Sequence, residues 1–241
     1  MKKRIDMILF EKGFYSSREK SKQAVEMGRV TVNGKTVLKP SFECEEGSEI
    51  SALPFEFVSR GGFKLQSAIE NFAIDLKDKV VLDIGASTGG FSDVCLQAGA
   101  RKIYAVDTGE GQLDEKIRNN AKVINLEKTN YLQLPKEKIS DVQVVVIDVS
   151  FVSLTKLIPK LANDFNHVEI VALIKPQFEC GLEYARKHKG IVKDAKMYEK
   201  IIKNISECFE KFGFVKKGLI TSPIKGGDGN VEFLIYLSKN K

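Results

Sequence analysis

The sequence predicts two domains, a small α+β domain followed by a larger α/β domain with a doubly wound, mostly parallel sheet. A hairpin signature follows two short helical patterns near the N-terminus, and from about residue 58 apolar runs alternate with amphipathic stretches. Charge divides the chain in the same way. The formal net charge is +6, and residues 1–39 carry ten basic and four acidic side chains, so they hold the whole excess. We therefore expect residues 1–57 to form the first domain with its connector and residues 58–241 to form the second.

Composition excludes several classes of protein. The 241 residues are 43% hydrophobic and 29% charged, which is typical of a folded chain. No apolar run approaches the ~20 residues of a membrane helix. The basic N-terminus is followed by Asp6 and Glu11 rather than by the apolar core of a signal peptide. We expect a cytoplasmic protein with no stable membrane insertion. The four cysteines and two histidines lack the spacing of a metal site, so no metal is expected.

The first domain begins with two helical patterns. Residues 5–10 place apolar side chains on one helical face, and Gly13 follows as a stop signal. Ser16 and Glu19 have the spacing of a capping box, which predicts a second, basic helix running to about Met27. An Asn33-Gly34 pair between alternating residues then predicts a tight hairpin.

This arrangement of two helices and a G-x-V-x-V-N-G-K hairpin resembles the ribosomal-protein S4-type RNA-binding domain over about residues 3 to 50. The localised positive charge is also typical of a surface that binds a polyanion. The resemblance implies that basic side chains here contact RNA phosphates, although a solvated side chain is the alternative for each one. The candidates are Arg4, Arg18, Lys20, Lys22, Arg29, Lys35 and Arg60.

Seven apolar runs predict the strands of the second domain, at 79–84, 102–107, 122–126, 142–148, 168–174, about 214–220 and 231–238. An amphipathic stretch at 195–212 predicts one of the intervening helices. In doubly wound sheets ligands bind beyond the carboxyl ends of the strands. The residues that close each run are therefore the candidates for a binding site.

The first strand runs into a glycine-rich turn over residues 83–91. Ser87 occupies the position of the second glycine in the dinucleotide fingerprint, and no Gly-Lys-Ser/Thr follows, so neither a dinucleotide motif nor a Walker A motif is present. The spacing D-x-G-x-x-x-G-G resembles motif I of the S-adenosylmethionine-dependent methyltransferases. Asp107, which closes the second strand, is placed to accept hydrogen bonds from ribose hydroxyls. The resemblance implies a cofactor site formed by Asp83, Gly85, Ala86, Ser87, Thr88, Gly89, Gly90, Phe91, Asp107, Glu127, Thr129, Asn130 and Asp148.

Further segments extend the resemblance to essentially the whole chain. They are V-S-R-G-G-F-K-L at 58–65, A-V-D-T-G-E-G-Q-L at 105–113, D-V-S-F-V-S-L at 148–154, K-P-Q-F-E at 175–179 and G-N-V-E-F at 229–233. In this order they resemble the TlyA family, also called hemolysin A, of ribosomal RNA 2'-O-methyltransferases. The resemblance implies a Rossmann-like methyltransferase domain with a mostly parallel seven-stranded sheet. It also implies S-adenosylmethionine as cofactor and ribosomal RNA or ribosomal subunits as partner.

Methyltransferases of the related FtsJ type carry a Lys-Asp-Lys-Glu tetrad, which falls here on Lys64, Asp148, Lys175 and Glu232. A lysine accepts a proton only when its charged form is disfavoured, by burial or by a neighbouring cation. By resemblance, Lys175 acts on the ribose 2'-hydroxyl, and the other three residues orient and tune it. For each residue alone, a structural ion pair remains the alternative.

The sequence thus favours 2'-O-methylation of ribose in ribosomal RNA, with cytidine as the nucleoside implied by resemblance. Methylation of an exocyclic amine is disfavoured because Asp148-Val149-Ser150-Phe151 replaces the N/D-P-P-Y/F segment of those enzymes. Methylation of cytosine C5 requires a nucleophilic cysteine, and Cys180 is interpreted as a packing residue. Two alternatives of other classes are a membrane-active hemolysin and a noncatalytic RNA-binding assembly factor.

Overall fold

The chain folds into two compact units in a computed structural model, which describes residues 2–45 and 47–240. The first unit extends to Arg60 and the second begins at Gly61. This division lies three residues after the boundary expected from the sequence.

The first unit combines two helices with short strands. Strand β1 (Lys2–Arg4) pairs with β4 (Glu43–Glu45), and β2 (Val30–Val32) pairs with both β3 (Lys35–Thr36) and β5 (Ile50–Ala52), all antiparallel. The predicted hairpin is therefore present, with Asn33 and Gly34 both at positive φ in its turn. The two helices are α1 (Ile5–Glu11) and α2 (Arg18–Glu26).

The predicted start of helix α2 was wrong by one residue. Ser17, not Ser16, is the N-cap, because it has an extended backbone and its Oγ accepts a hydrogen bond from the Lys20 amide at 3.1 Å. Ala24 and Val25 of the same helix are fully buried and pack in a small apolar core. This core belongs to the first unit itself.

The second unit is an α/β sandwich whose strands alternate with helices. Its elements are α3 (Gly61–Phe72), β6 (Val80–Ile84), α4 (Gly90–Gln97), β7 (Lys102–Val106), α5 (Glu115–Arg118), β8 (Val123–Leu126), β9 (Val144–Ile147), α6 (Ile158–Asp164), β10 (His167–Ile174), α7 (Pro176–Glu179), α8 (Leu182–Lys187), α9 (Ala195–Lys211), β11 (Val215–Thr221) and β12 (Phe233–Asn240).

All seven predicted strands form one sheet, with the order β11-β12-β10-β9-β6-β7-β8. Strands β6 to β10 are parallel, and β12 is antiparallel to both of its neighbours. The mostly parallel seven-stranded sheet is thus confirmed. Its topological switch point lies between β6 and β9, because successive strands extend from β6 in one direction and from β9 in the other.

Burial explains why these segments form the sheet. Every residue of β6 and β9 is buried, as expected for central strands covered by helices on both faces. Helix α9 covers the sheet with Ile201, Ile205 and Phe209, which lie on one face of its amphipathic sequence. Among the described residues, no helix combines the length and apolarity that crossing a membrane requires.

Candidate active site

A cavity of about 580 Å³ opens at the switch point, beyond the carboxyl ends of β6, β7 and β9. This volume falls within the roughly 300–1,000 Å³ of small-molecule and cofactor sites. Six of the predicted cofactor residues line it, together with apolar side chains from the strand ends and neighbouring loops. The six are Gly85, Ser87, Asp107, Thr129, Asn130 and Asp148.

Gly85 allows the ends of β6 and β9 to approach each other. Its φ is +86°, and a Cβ at this position would lie 2.6 Å from the backbone oxygen of Asp148. No other residue fits here without moving one of the two strand ends. The glycine of the predicted motif therefore allows the backbone of Asp148 to lie directly against the turn that follows β6.

Asp107 is held rigidly at the end of β7. Its Oδ2 accepts a hydrogen bond from the Ser87 amide at 2.8 Å, and its Oδ1 accepts one from the Gly109 amide at 2.7 Å. A carboxylate has about four acceptor positions, so two remain for a ligand in the cavity. A carboxylate with free acceptor positions, facing a cavity with apolar walls, fits the ribose and adenine of the implied cofactor.

Glu127 contributes to the cavity indirectly. Its Oε1 accepts hydrogen bonds from the amides of Gln112 and Leu113, at 2.7 and 3.1 Å, and its Oε2 accepts one from the Asn125 side chain. The bond from Asn125 and those from the backbone amides lower the pKa of Glu127 to about 2. Glu127 does not line the cavity, but it fixes the loop that carries Gln112, which does. Direct contact between Glu127 and the cofactor stays a prediction.

The other predicted cofactor residues lie outside the cavity lining, and their role as cofactor contacts also stays a prediction. They are Asp83, Ala86, Thr88, Gly89, Gly90 and Phe91. Gly89 has φ +90° and is the N-cap of α4, where a Cβ would lie about 3.0 Å from the Leu113 side chain. Ala86 and Phe91 are buried.

Asp83 is a fully buried acid on β6. Its Oδ2 accepts a hydrogen bond from Ser92 Oγ at 2.7 Å, whereas its Oδ1 has no hydrogen-bond partner among the described residues. Burial raises the pKa of Asp83 to about 7; Ser92 opposes the shift, and the nearby carboxylates of Asp148 and Asp107 add to it. The protonated acid is therefore the form that the fold stabilises.

We expect Asp83→Asn to change how the free energy of unfolding depends on pH. Because the folded-state pKa lies above that of the unfolded chain, the contribution of Asp83 is complete below about pH 4 and is lost as pH rises through 7. The loss is on the order of 4 kcal/mol. Urea unfolding at pH 4 to 8 should show the variant gaining stability relative to the wild type by about this amount. A difference that stays constant across that range would contradict the shift. Asp228→Asn, at an exposed position, is the matched control for the substitution itself.

The tetrad forms two ion pairs in the second unit. Lys64 Nζ on α3 lies 2.6 Å from Glu232 Oε2, which precedes β12, and both side chains are nearly inaccessible to solvent. Lys175 Nζ, just after β10, lies 2.7 Å from Asp148 Oδ1, just after β9. The structure therefore brings together residues that are 168 and 27 positions apart in the chain.

Ser150 is a second contact of Lys175, and the sequence did not single it out. Its Oγ accepts a hydrogen bond from Lys175 Nζ at 2.8 Å, and Ser150 also lines the cavity. Its place two residues after Asp148, in the loop that follows β9, is the signal that could have identified it. Ser150 and Asp148 together hold the Lys175 ammonium at the edge of the cavity.

Phe151 is a second residue that the sequence analysis missed. Its side chain is 92% exposed although it lines the cavity, and its backbone has the unusual φ of +64°. Its ring centroid lies 5.1 Å from that of Phe178, on α7. An exposed aromatic ring held in this way beside the Lys175 ion pair can stack against a planar group.

Cys180 behaves as the packing residue that was expected. Burial raises the pKa of its thiol, and Sγ donates weak hydrogen bonds to the backbone oxygens of Gln177 and Gly181. A thiol with a raised pKa is a poor nucleophile. The structure therefore offers no support for cytosine C5 chemistry at this residue.

Three of the seven candidate RNA contacts support the fold of the first unit. Arg4 and Arg18 both pair with Asp6, which is fully buried. Burial alone would raise the pKa of Asp6, but the hydrogen bonds from the two arginines hold it below its ordinary value. Arg29 donates hydrogen bonds to the Pro54 carbonyl and to Glu56.

The remaining candidates are Lys20, Lys22, Lys35 and Arg60. Lys35 is exposed on the hairpin, and Lys20 and Lys22 lie on the partly exposed face of α2, where Lys22 pairs with Glu19. Arg60 is the last residue of the first unit. Contact with RNA stays a prediction for all seven residues.

Comparison with known proteins places this geometry in a family. Residues 57–239 match the family model of the FtsJ-like methyltransferases, and residues 3–50 match the S4 domain. The "16S/23S rRNA (cytidine-2'-O)-methyltransferase TlyA" of Mycobacterium tuberculosis is 35% identical over 239 residues, covering 97% of this chain and 89% of the relative. "Hemolysin A" of Brachyspira hyodysenteriae is 39% identical over 237 residues, covering 97% and 98% of the two chains.

A solved structure agrees with this relationship along the whole chain. It is that of a Streptococcus thermophilus protein classed with the hemolysins, which is 38% identical. The TM-score is 0.77, with 100% of this chain and 89% of that chain covered. The chain therefore belongs to the FtsJ-like methyltransferase family and, within it, to the TlyA or hemolysin A group, which joins an S4 domain to the methyltransferase domain.

Proposed function

We propose that this protein transfers a methyl group from S-adenosylmethionine to the ribose 2'-oxygen of cytidine in ribosomal RNA. The observation that carries the proposal is the position of Asp148, which lines the cavity and also pairs with Lys175 at 2.7 Å. One carboxylate thus links the cofactor cavity to the tetrad. The cytidine and the ribosomal RNA are taken from the name of the M. tuberculosis relative.

The cofactor supplies an electrophilic methyl group on a sulfonium, so the chain's own residues mainly need to orient the acceptor. Asp107 binds the cofactor ribose. The loop that Glu127 holds in place contributes Gln112 to the lining of the cavity. Lys175, fixed by Asp148 and Ser150, contacts the 2'-hydroxyl. Its Nζ, as the neutral amine, takes the proton that the oxygen loses when it is methylated. Lys64 and Glu232 support this arrangement as a separate buried pair.

The surroundings of Lys175 suit a nucleotide acceptor. The exposed ring of Phe151 lies in the same loop as Ser150, where it can stack against the base of the nucleotide whose ribose is methylated. Stacking on an aromatic ring is worth about 1–3 kcal/mol per base. A ring at this position would hold the nucleotide after it leaves its own base stack.

The two units have different roles in the proposed reaction. Residues 1–57 bind ribosomal RNA through their excess of basic side chains, and residues 58–241 bind the cofactor and carry out the transfer. Ribosomal RNA or a ribosomal subunit as substrate implies that the protein acts in the cytoplasm. Electrostatic docking by the first unit raises the local concentration of RNA near the second.

Incubation of the purified protein with labelled S-adenosylmethionine and ribosomal subunits from cells that lack the gene tests the proposal. We expect label on the 2'-oxygen of a cytidine, located by nuclease digestion and mass spectrometry. Label on a base would overturn the assignment of the acceptor atom. RNA binding without any methyl transfer would favour a noncatalytic assembly factor instead.

A further inference from the structure

Residues 182–194, which we call the basic segment, form an exposed surface of the second unit that the tetrad and the cofactor cavity do not use. The segment begins with the short helix α8, none of whose residues is buried. Arg186, Lys187, Lys189 and Lys193 are all exposed, and their side chains have no hydrogen bond or ion pair within residues 2–45 and 47–240. The segment has four basic residues and two acids, Glu183 and Asp194, so its formal net charge is +2, and both acids lie outside the stretch from Arg186 to Lys193.

An aromatic surface lies beside these cations. The rings of Tyr184 and His188 are stacked, with centroids 4.1 Å apart and an interplanar angle of 21°. Both rings line a second cavity of about 490 Å³, whose other lining residues are Lys189, Ile191, Lys193 and Asp194. Stacked rings next to free cations are the combination that binds single-stranded nucleic acid, with bases on the rings and phosphates on the cations.

The basic segment is anchored to the elements that carry the tetrad. Asn230, which is almost fully buried, accepts a hydrogen bond from the Val192 amide and donates one to the Gly190 carbonyl, both at 2.9 Å. Glu232 follows Asn230 by two residues. At the other end, only α7 and two further residues separate the segment from Lys175. The segment is therefore connected to one residue of each ion pair, Glu232 and Lys175, by short stretches of chain.

We propose that the basic segment is a second RNA-binding site, located on the methyltransferase unit itself. It holds the RNA strand next to the methylated nucleotide, with a base against the Tyr184–His188 pair and phosphates on Arg186, Lys189 and Lys193. The inference rests on the proposed function, because it takes RNA as the substrate. The charge is complementary to RNA, and the paired rings provide a contact for bases that a lipid headgroup would not use.

The test compares full-length variants that each lose three positive charges. The first carries Arg186→Gln, Lys189→Gln and Lys193→Gln. The matched control carries Lys200→Gln, Lys203→Gln and Lys211→Gln on α9, where all three side chains are exposed. For the first variant we expect KM for the ribosomal subunit to rise about tenfold or more. The slope of log affinity against log salt should become shallower by about 2–3. Cofactor affinity and kcat at saturating substrate should stay near the wild-type values.

Two substitutions of His188 test the contribution of stacking to RNA binding separately from that of charge. His188→Ala should weaken RNA binding on the order of tenfold with little change in the salt slope, whereas His188→Phe should retain most of the affinity. Equal KM and salt slope in the charge variant and its control would overturn the proposal. The proposal would also be overturned if the charge variant kept its affinity for RNA but lost binding to vesicles of anionic lipid.

Failure of the proposed function would be recognised separately. If the wild type binds a ribosomal RNA fragment but methylates neither the fragment nor a subunit, the proposed chemistry is wrong. The binding comparison between the two charge variants, measured by fluorescence anisotropy, would still decide whether the basic segment contacts RNA.

Discussion

Lys175→Ala should lower kcat for methyl transfer by about 10²–10⁴-fold while leaving cofactor affinity within a few-fold of the wild type. Lys175 does not line the cofactor cavity, so the cavity should survive its removal. The variant loses the amino group that bridges Asp148 Oδ1 and Ser150 Oγ, at 2.7 and 2.8 Å. The acceptor hydroxyl would then lose both its positioning contact and its proton acceptor.

Two control measurements distinguish a loss of catalysis from a loss of folding or of cofactor binding. Removing Lys175 leaves the partly buried Asp148 carboxylate without its cation, which destabilises the fold. Thermal unfolding and calorimetric titration with S-adenosylmethionine therefore accompany the single-turnover rates. Ser150→Ala is the matched milder variant, because it removes one hydrogen bond from Lys175 and should cost roughly tenfold or less. Near-normal turnover by a folded, cofactor-binding Lys175→Ala protein would show that Lys175 does not act on the hydroxyl.

Replacing Lys20, Lys22 and Lys35 together by glutamine should make the salt slope of RNA binding shallower by about 2–3. The reason is that each phosphate contact releases counterions, and these three lysines lie at least partly exposed on α2 and the hairpin. Arg4 and Arg18 are unsuitable for this purpose, because they neutralise the buried carboxylate of Asp6. Cofactor binding and the thermal stability of the second unit should not change.

The α9 triple variant of Lys200, Lys203 and Lys211 again serves as the control for net charge. Nitrocellulose filter binding at 50 to 300 mM salt measures both the affinity and its slope. If the two triple variants have the same slope, the basic residues of the first unit do not contact the RNA. The excess charge near the N-terminus would then be a solvated surface.

The fold was largely predictable because buried segments have a recognisable pattern of apolar residues in the sequence. Central parallel strands are covered on both faces, so β6 and β9 are continuous apolar runs that end where polar residues begin. The hairpin was predictable for a different reason, since only residues tolerant of positive φ occupy its turn. The N-cap of α2 was misplaced because Ser16 and Ser17 are adjacent and both are chemically suitable caps.

The candidate site was predictable only as a set of residues. Asp83 and Asp107 are both acids at or near strand ends, yet one is fully buried against Ser92 and the other faces the cavity. Side-chain direction at the end of a strand depends on the neighbouring strands and helices, which local sequence does not specify. Phe151 was missed for the same reason, because nothing in its own sequence indicates that its ring is exposed.

The sequence by itself determined the concentration of positive charge near the N-terminus. It also predicted two units, the order of strands and helices along the chain and, by resemblance, the four residues of the tetrad. Only the tertiary structure decided that Lys64 pairs with Glu232 and Lys175 with Asp148, that Asp6 holds two arginines, and that the basic segment is tied to Asn230. The physical reason is that the two kinds of feature depend on residues at different separations along the chain. Apolar periodicity acts along a few neighbouring residues, whereas an ion pair depends on a separation of about 3 Å between groups that the chain carries far apart.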